Sequence, residues 1–392
     1  MSYVMFFGML LLVDGFLHWF LWTRLVRDPG WGARATAIGT GLTIFFAIAT
    51  PLGMILSRFL PRAVAQPVAS AIFVWMGVAF LLFSVTLTVA LAKWILGGAV
   101  AMLAKLGEGA TEPLDPDRRR VLTQGVALAS GAVALGASAV ALRSGLGEVE
   151  LREVNVKLER LPKQLSGLTL VQLSDVHVGP LLGARFIEGL VERANRAKPD
   201  AVVITGDLVD GSLDELKSQV EALGRLKSRY GTFFVTGNHE FYSGVEDWLP
   251  ELTRLGIKVL KNERVILGDS GASIDLAGVD DATSGRFGHG PDLERAVAGR
   301  DPDRELIVLA HQPKQIEDAA KAGAGLQLSG HTHGGQIWPF NHLVGLAQPY
   351  IAGLYQHDPK TQIYVSRGTG FWGPPMRLAA PAEMTKLVLS ST

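Results

Sequence analysis

The chain has 392 residues, 37 basic and 37 acidic side chains, and no cysteine. Zero net charge excludes a global basic field of the kind that holds long nucleic acid, and the lack of thiols excludes disulfides and thiolate metal sites. At this length two domains are expected, and the apolar excess, 48% of residues overall, is concentrated in the first of them.

Four apolar runs, about 3–22, 36–57, 68–92 and 121–142, each reach the roughly 20 residues needed to cross a bilayer. They predict a transmembrane region over 1–142; a cleavable signal would account for one such run, not four. The connection 23–35 carries Arg24, Arg27 and Arg34, and 93–120 carries Lys93, Lys105 and Arg118 to Arg120. The connection 58–67 holds only Arg58 and Arg62. By the positive-inside rule the N-terminus lies outside, and so does the domain after residue 142. The expected location is a bacterial cell membrane with an extracytoplasmic catalytic domain. Arg118-Arg119-Arg120 also fits a twin-arginine export signal with a cleavage site near Ala137-Ser138-Ala139, although an ordinary anchor flank is the preferred reading. Asp14 and His18, four residues apart on one helical face, are expected to serve helix packing.

From residue 150 the period changes. Short β runs at 168–173, 201–204, 232–236, 306–310 and 326–329 alternate with helical patterns near 183–198, 213–228 and 244–255. Such alternation predicts a largely parallel sheet whose ligands gather at the carboxyl ends of the strands. Later strands at about 257–267, 272–279, 362–366 and 384–389 predict a second sheet. The expected domain, 143–392, is therefore a two-sheet β-sandwich flanked by helices, four layers in α/β/β/α order.

Each of the five β runs ends in metal-ligating residue types. They are Asp175-Val-His177, Gly206-Asp207, Gly237-Asn238-His239-Glu240, His311 and Gly330-His331-Thr-His333. Without thiols, a donor set of His, Asp and Asn favours two divalent ions of the Mn, Fe or Zn kind. A glycine directly before three of these ligands allows a sharp turn and close backbone approach.

In this order the five runs resemble the calcineurin-like metallophosphoesterase superfamily, and Gly330-His-Thr-His-Gly-Gly-Gln336 looks like its bacterial membrane-associated YaeI/YkuE-like branch. The resemblance covers about 150–392 and leaves the four apolar runs unexplained. It implies that Asp175, His177 and His333 bind one ion, that Asn238, His311 and His331 bind a second, and that Asp207 bridges them. His239 would face the phosphoryl group as the catalytic hydrogen-bond or proton donor. Asp210 and Glu240 would act behind this set, Glu240 by orienting His239 or its loop. The implied function is a membrane-anchored phosphoesterase that cleaves a phosphomonoester, phosphodiester or pyrophosphate through a metal-bound hydroxide. A lipid-linked or envelope substrate follows from location alone, and no nucleic-acid partner is expected.

Trp338, Phe340, Phe371 and Trp372 cluster around the last motifs and could line an apolar entrance for a lipid-linked phosphate, although ordinary core and loop packing is the preferred reading; Arg367 and Arg377 are candidates either for binding phosphate or for plain surface charge. His289 reads as a solvated loop residue, and Asp280-Asp281 as either cleft or turn. Two alternatives remain at this point: a sensing or scaffold domain on the same fold, and a hydrolase of soluble nucleotides.

Overall fold

The computed structural model describes residues 3–56, 59–105, 115–269 and 271–392. It divides into two compact units, Met1–Arg143 with Gly373–Met376, and Ser144–Trp372 with Arg377–Thr392.

The first unit is helical: α1 (Tyr3–Trp22), α2 (Ala33–Leu56), α3 (Arg62–Lys105) and α4 (Pro116–Gly145). All four are long and apolar enough to cross a membrane. The third helix has 44 residues and overruns the 68–92 segment at both ends. Lys93 ends the hydrophobic run but not the helix, because 93–105 is rich in Ala, Leu, Met and Lys, all strong helix formers. Hydropathy stops at the first charge; hydrogen bonding does not.

Asp14 and His18 have the packing role expected of them. His18 Nδ1 lies 2.9 Å from the Asp14 carbonyl and 3.3 Å from its carboxylate. Its Nε2 accepts a hydrogen bond from the Trp75 indole at 3.2 Å, and Trp75 stacks on Phe46 at 3.7 Å. Indole nitrogen only donates, so the His18 ring proton is on Nδ1. The pair thus ties α1 to α3, and Trp75 ties α3 to α2.

Among the described residues the second unit contains twelve strands. Those of the first sheet are β1 (Glu150–Leu158), β2 (Thr169–Leu173), β3 (Ala201–Thr205), β4 (Thr232–Val235), β5 (Ile257–Val259) and β12 (Glu383–Ser391), in the order β1-β12-β2-β3-β4-β5. The second sheet holds β6 (Glu263–Asp269), β7 (Ala272–Gly278), β8 (Leu306–Leu309), β9 (Leu326–Ser329), β10 (Gly353–Gln356) and β11 (Gln362–Val365), in the order β10-β11-β9-β8-β7-β6. The runs β2-β3-β4-β5 and β7-β8-β9-β11 are parallel; β12 against β2, β6 against β7 and β10 against β11 are antiparallel.

Alternation along the strands sorts the core into layers. Ala201 and Val203 of β3 face inward, in the cluster that joins Leu170 and Phe233 to Leu276, Leu309, Leu328 and Tyr364 of the opposite sheet. Val202 and Ile204 face outward against α5 (Ala184–Arg196), α6 (Leu213–Val220) and α8 (Val245–Arg254), through Ile187, Leu190, Leu216 and Trp248. Between α6 and α8 lies the short α7 (Asn238–Ser243). On the far side, Ala277, Val308 and Ile363 pack on α9 (Leu293–Val297) and α10 (Ile316–Lys321), and α11 (Asn341–Ala347) follows the last motif with no buried residue. Each fully buried Leu, Ile or Phe contributes roughly 1.5–3 kcal/mol. The result is the α/β/β/α four-layer sandwich.

The allocation of strands to sheets differs from the sequence expectation: β8 and β9 belong to the second sheet, and β12, which covers 384–389, to the first, because short buried runs carry no signal of which sheet they join. The single strand at 257–267 is two, because Asn262 at φ 55° breaks the run between β5 and β6. Strands β1 and β10 were not foreseen. The first half of β1 is exposed and β10 is a four-residue edge strand, so neither shows a clear alternation.

Candidate metal centre

The motif residues sit just past the carboxyl ends of β2, β3, β4, β8 and β9, so both sheets supply them. Asp175, His177, Asp207, His331 and His333 all have positive φ, between 50° and 70°. A residue with a Cβ adopts that region at a cost, and such strain collects at functional sites. The preceding glycines are needed for space as well as turning. At Gly206, φ 83°, a Cβ would come within 2.6 Å of the Gly237 nitrogen and 2.7 Å of His311 Nδ1. At Gly237 it would overlap the Asp207 carboxylate, and at Gly330 the Ser174 hydroxyl and the Asp175 carboxylate.

Among the described residues three groups of ligand atoms converge, each within 4.8 Å: Asp175 with His177 and His333, Asp207 with His311 and His331, and His177 with Asp210 and His239. Asp207 lies between the first two, its Oδ2 at 3.1 Å from His311 Nε2 and 3.9 Å from His177 Nε2. His177 Nε2 and His333 Nε2 are 3.0 Å apart. Asn238 is buried, and its Oδ1 has no hydrogen-bond partner among the described residues.

His311 tests whether the residues present fit a metal ion. Its Nδ1 is 2.7 Å from the Thr205 carbonyl, which only accepts, so the ring proton is on Nδ1. Nε2 faces Asp207, whose charge outweighs burial and raises His311 well above its usual value. It is fully buried and, although close to Asp207, has no hydrogen-bonding geometry toward it. A buried ring nitrogen that faces a carboxylate without a hydrogen bond is the arrangement a shared cation satisfies.

The charge balance follows from crowding. Burial alone would raise Asp207, yet the His311, His239 and His177 imidazoles hold it well below the usual carboxylate range. Burial raises Asp175. Burial and the charge of His311 push His331 down to about 4, and burial with His177 holds His333 well below its usual value. Neutral imidazole is the metal-binding form.

The remaining motif residues hold the others. Asp210 reaches two histidines, with Oδ2 at 3.1 Å from His177 Nδ1 and Oδ1 at 2.5 Å from His239 Nδ1. Burial opposes protonation of His239, but Asp210 and Asp207 raise it to about 9. Glu240 directs its carboxylate at the loop rather than at the His239 ring. It accepts backbone N–H bonds from Gly237 (2.6 Å), Leu208 (2.7 Å), Asp207 (3.0 Å) and Val209 (3.4 Å), and so clamps the Asp207 loop.

A family model described as calcineurin-like phosphoesterase matches residues 168–335. A "Transmembrane protein with metallophosphoesterase domain" from Bos taurus is 41% identical over 305 residues, 75% of this chain and 68% of that protein. The chain belongs to the calcineurin-like metallophosphoesterase family. An "Uncharacterized metallophosphoesterase" of Helicobacter pylori is 45% identical over 247 residues, 62% of this chain and 65% of its own length. The "Uncharacterized metallophosphoesterase YkuE" of Bacillus subtilis is 31% identical over 253 residues, 62% of this chain and 86% of that one. The chain thus spans slightly less than two thirds of the Helicobacter relative.

The family normally binds divalent metals. Two residues considered for phosphate are used otherwise in this chain. Arg377 is buried and donates to the carbonyls of His333, Gly368, Gly370 and Ala380. Arg367 is ion-paired with Glu383 at 2.6 Å. His289 is not a free loop residue: it pairs with Glu246 at 2.9 Å and packs on Phe241. Asp280 and Asp281 are buried; Asp281 accepts from Gln312 and Thr283.

Sequence reading missed the groups that aim the carboxylates. Ser174 Oγ donates to Asp175 Oδ2 at 2.6 Å, and the His331 N–H donates to Asp175 Oδ1 at 2.8 Å. The His239 N–H donates to Asp207 Oδ1 at 2.9 Å. Ser174 adjoins a motif and was within reach of inspection, whereas the backbone donors leave no residue-type signal.

Proposed function

We propose that this chain is a membrane-anchored phosphoesterase with a dinuclear metal centre, its chemistry carried by residues 143–392 and its anchorage by 1–142. One observation carries the reading. Donors from five strand ends converge, and of these His311 Nε2 and Asn238 Oδ1 are buried without a hydrogen-bond partner among the described residues. The donor set fits hard or borderline divalent ions such as Mn, Fe or Zn. Asp175, His177 and His333 would hold one ion and Asn238, His311 and His331 the other, with Asp207 shared. Bound there, two such ions supply Lewis acidity toward the phosphoryl oxygens and lower the pKa of a nucleophilic water.

The chain's own residues do the rest. Asp210 holds the His177 and His239 rings by their Nδ1 atoms, leaving both Nε2 atoms to face the cluster. Raised to about 9, His239 carries a proton at neutral pH and can deliver it to the leaving oxygen. Glu240 fixes the loop that presents Asp207. Basic residues in the 23–35 and 93–120 connections, against an N-terminus without any, support an extracytoplasmic position for the domain.

The test uses the full chain in detergent with Mn²⁺, Fe²⁺ or Zn²⁺, assayed on 4-nitrophenyl phosphate and bis(4-nitrophenyl) phosphate. Metal-dependent turnover is expected, reduced about a thousandfold or more in His331→Ala and Asp207→Asn. Bound metal without turnover of either ester, or of lipid and nucleotide phosphate esters, would favour a scaffold role instead.

A further inference from the structure

Two aromatic side chains flank the one site histidine that is not placed as a metal ligand. Tyr242 of α7 and Trp372, after β11, have ring centroids 5.5 and 5.7 Å from His239 and stand at 69° and 73° to the imidazole. Both remain open to solvent, Tyr242 at 61% and Trp372 at 57% exposure. Phe287 continues the same wall, 5.9 Å from Tyr242. Trp372 is placed by its backbone rather than by burial of its ring. Gln336 accepts its N–H at 3.0 Å and donates to its carbonyl at 2.9 Å. Gln336 does so from φ 52°, ψ −55°, a conformation that a side chain with a Cβ avoids, three residues beyond His333. Strain is thus retained beside the candidate metal centre, where Gln336 holds an exposed indole against His239.

We propose that Tyr242 and Trp372 form a slot for a flat ring on the leaving group of the phosphate ester, with Gln336 as its positioning residue. The proposal rests on the phosphoesterase reading above. In the hydrolysis, water oxygen forms the new bond to phosphorus, the bond from phosphorus to the leaving oxygen breaks, and His239 gives that oxygen its proton. The proton lost by water then returns the histidine to its charged form. The leaving oxygen must therefore come within hydrogen-bond reach of His239 Nε2. Whatever it carries emerges beside the two rings that touch this imidazole. Open aromatic faces stack on a flat ring and gain dispersion and quadrupole attraction that a methyl group or a flexible chain does not.

The experiment compares phenyl-, hexyl- and methylphosphonate binding to the metal-loaded full chain by calorimetry, alongside turnover of bis(4-nitrophenyl) phosphate. Phenylphosphonate should bind about tenfold better than either of the others. Trp372→Ala and Tyr242→Ala should remove that advantage and raise KM about tenfold with kcat within about twofold, and Trp372→Phe should restore most of it. Gln336→Ala should move KM in the same direction. Hexylphosphonate binding as well as phenylphosphonate would overturn the ring class in favour of an alkyl chain. Unmoved affinity ratios in both alanine variants would overturn the slot. Absence of turnover by the wild-type chain would instead fail the phosphoesterase reading, and the phosphonate series would still decide the slot.

Discussion

Five candidate ligands at positive φ and three glycines without room for a methyl group show how little freedom the centre has. Gly237→Ala tests this at the residue scale. Its Cβ would collide with the Asp207 carboxylate, so the variant should lose about 1–3 kcal/mol in thermal melting and bind metal at least about tenfold more weakly. A second prediction concerns pH. The value for His239 rises from 6.5 in the unfolded chain to about 9 in the folded one. Stabilisation from its pair with Asp210 is therefore fully present below about 6.5 and lost as pH rises through about 9. Melting temperatures of the metal-stripped protein should fall across that window, and Asp210→Asn should flatten the fall. The ligands were legible because each ends an apolar run, three of them behind a glycine. Gln336 and Arg377 were not. Their partners, Trp372 and the carbonyls around His333, are brought near only by the fold.

Elements were legible where one pattern dominated. The buried strands β2, β3, β4, β8 and β9 read directly, because every residue points into apolar packing and a turn follows. The exposed start of β1 hid it, and the overrun of α3 came from helix formers that hydropathy does not count. β12 matters most among the elements, because it alone joins β1 to the rest of its sheet and buries Leu387 and Leu389 between the sheets. Removing residues 383–392 should leave β1 unpaired and abolish the near-ultraviolet dichroism of the second unit. Retention of a cooperative melt would show that β12 is dispensable.

The whole molecule joins four membrane-spanning helices to a family domain that the sequence already outlined through its motif order. The side of the membrane is checkable, because the chain has no native cysteine. Lys321→Cys, at an exposed side chain, should react with an impermeant maleimide in intact cells, whereas Arg34→Cys should react only after permeabilisation. The reverse pattern would place the domain in the cytoplasm. The central claim, that the histidine–carboxylate groups of Asp175 and Asp207 are a two-metal centre, is tested most directly by counting metal. Calorimetric titration of Mn²⁺ or Zn²⁺ into the stripped full chain should show two equivalents bound, with Asp207→Asn losing at least one and His311→Ala selectively losing one. No binding, or a stoichiometry unchanged by both substitutions, would contradict it.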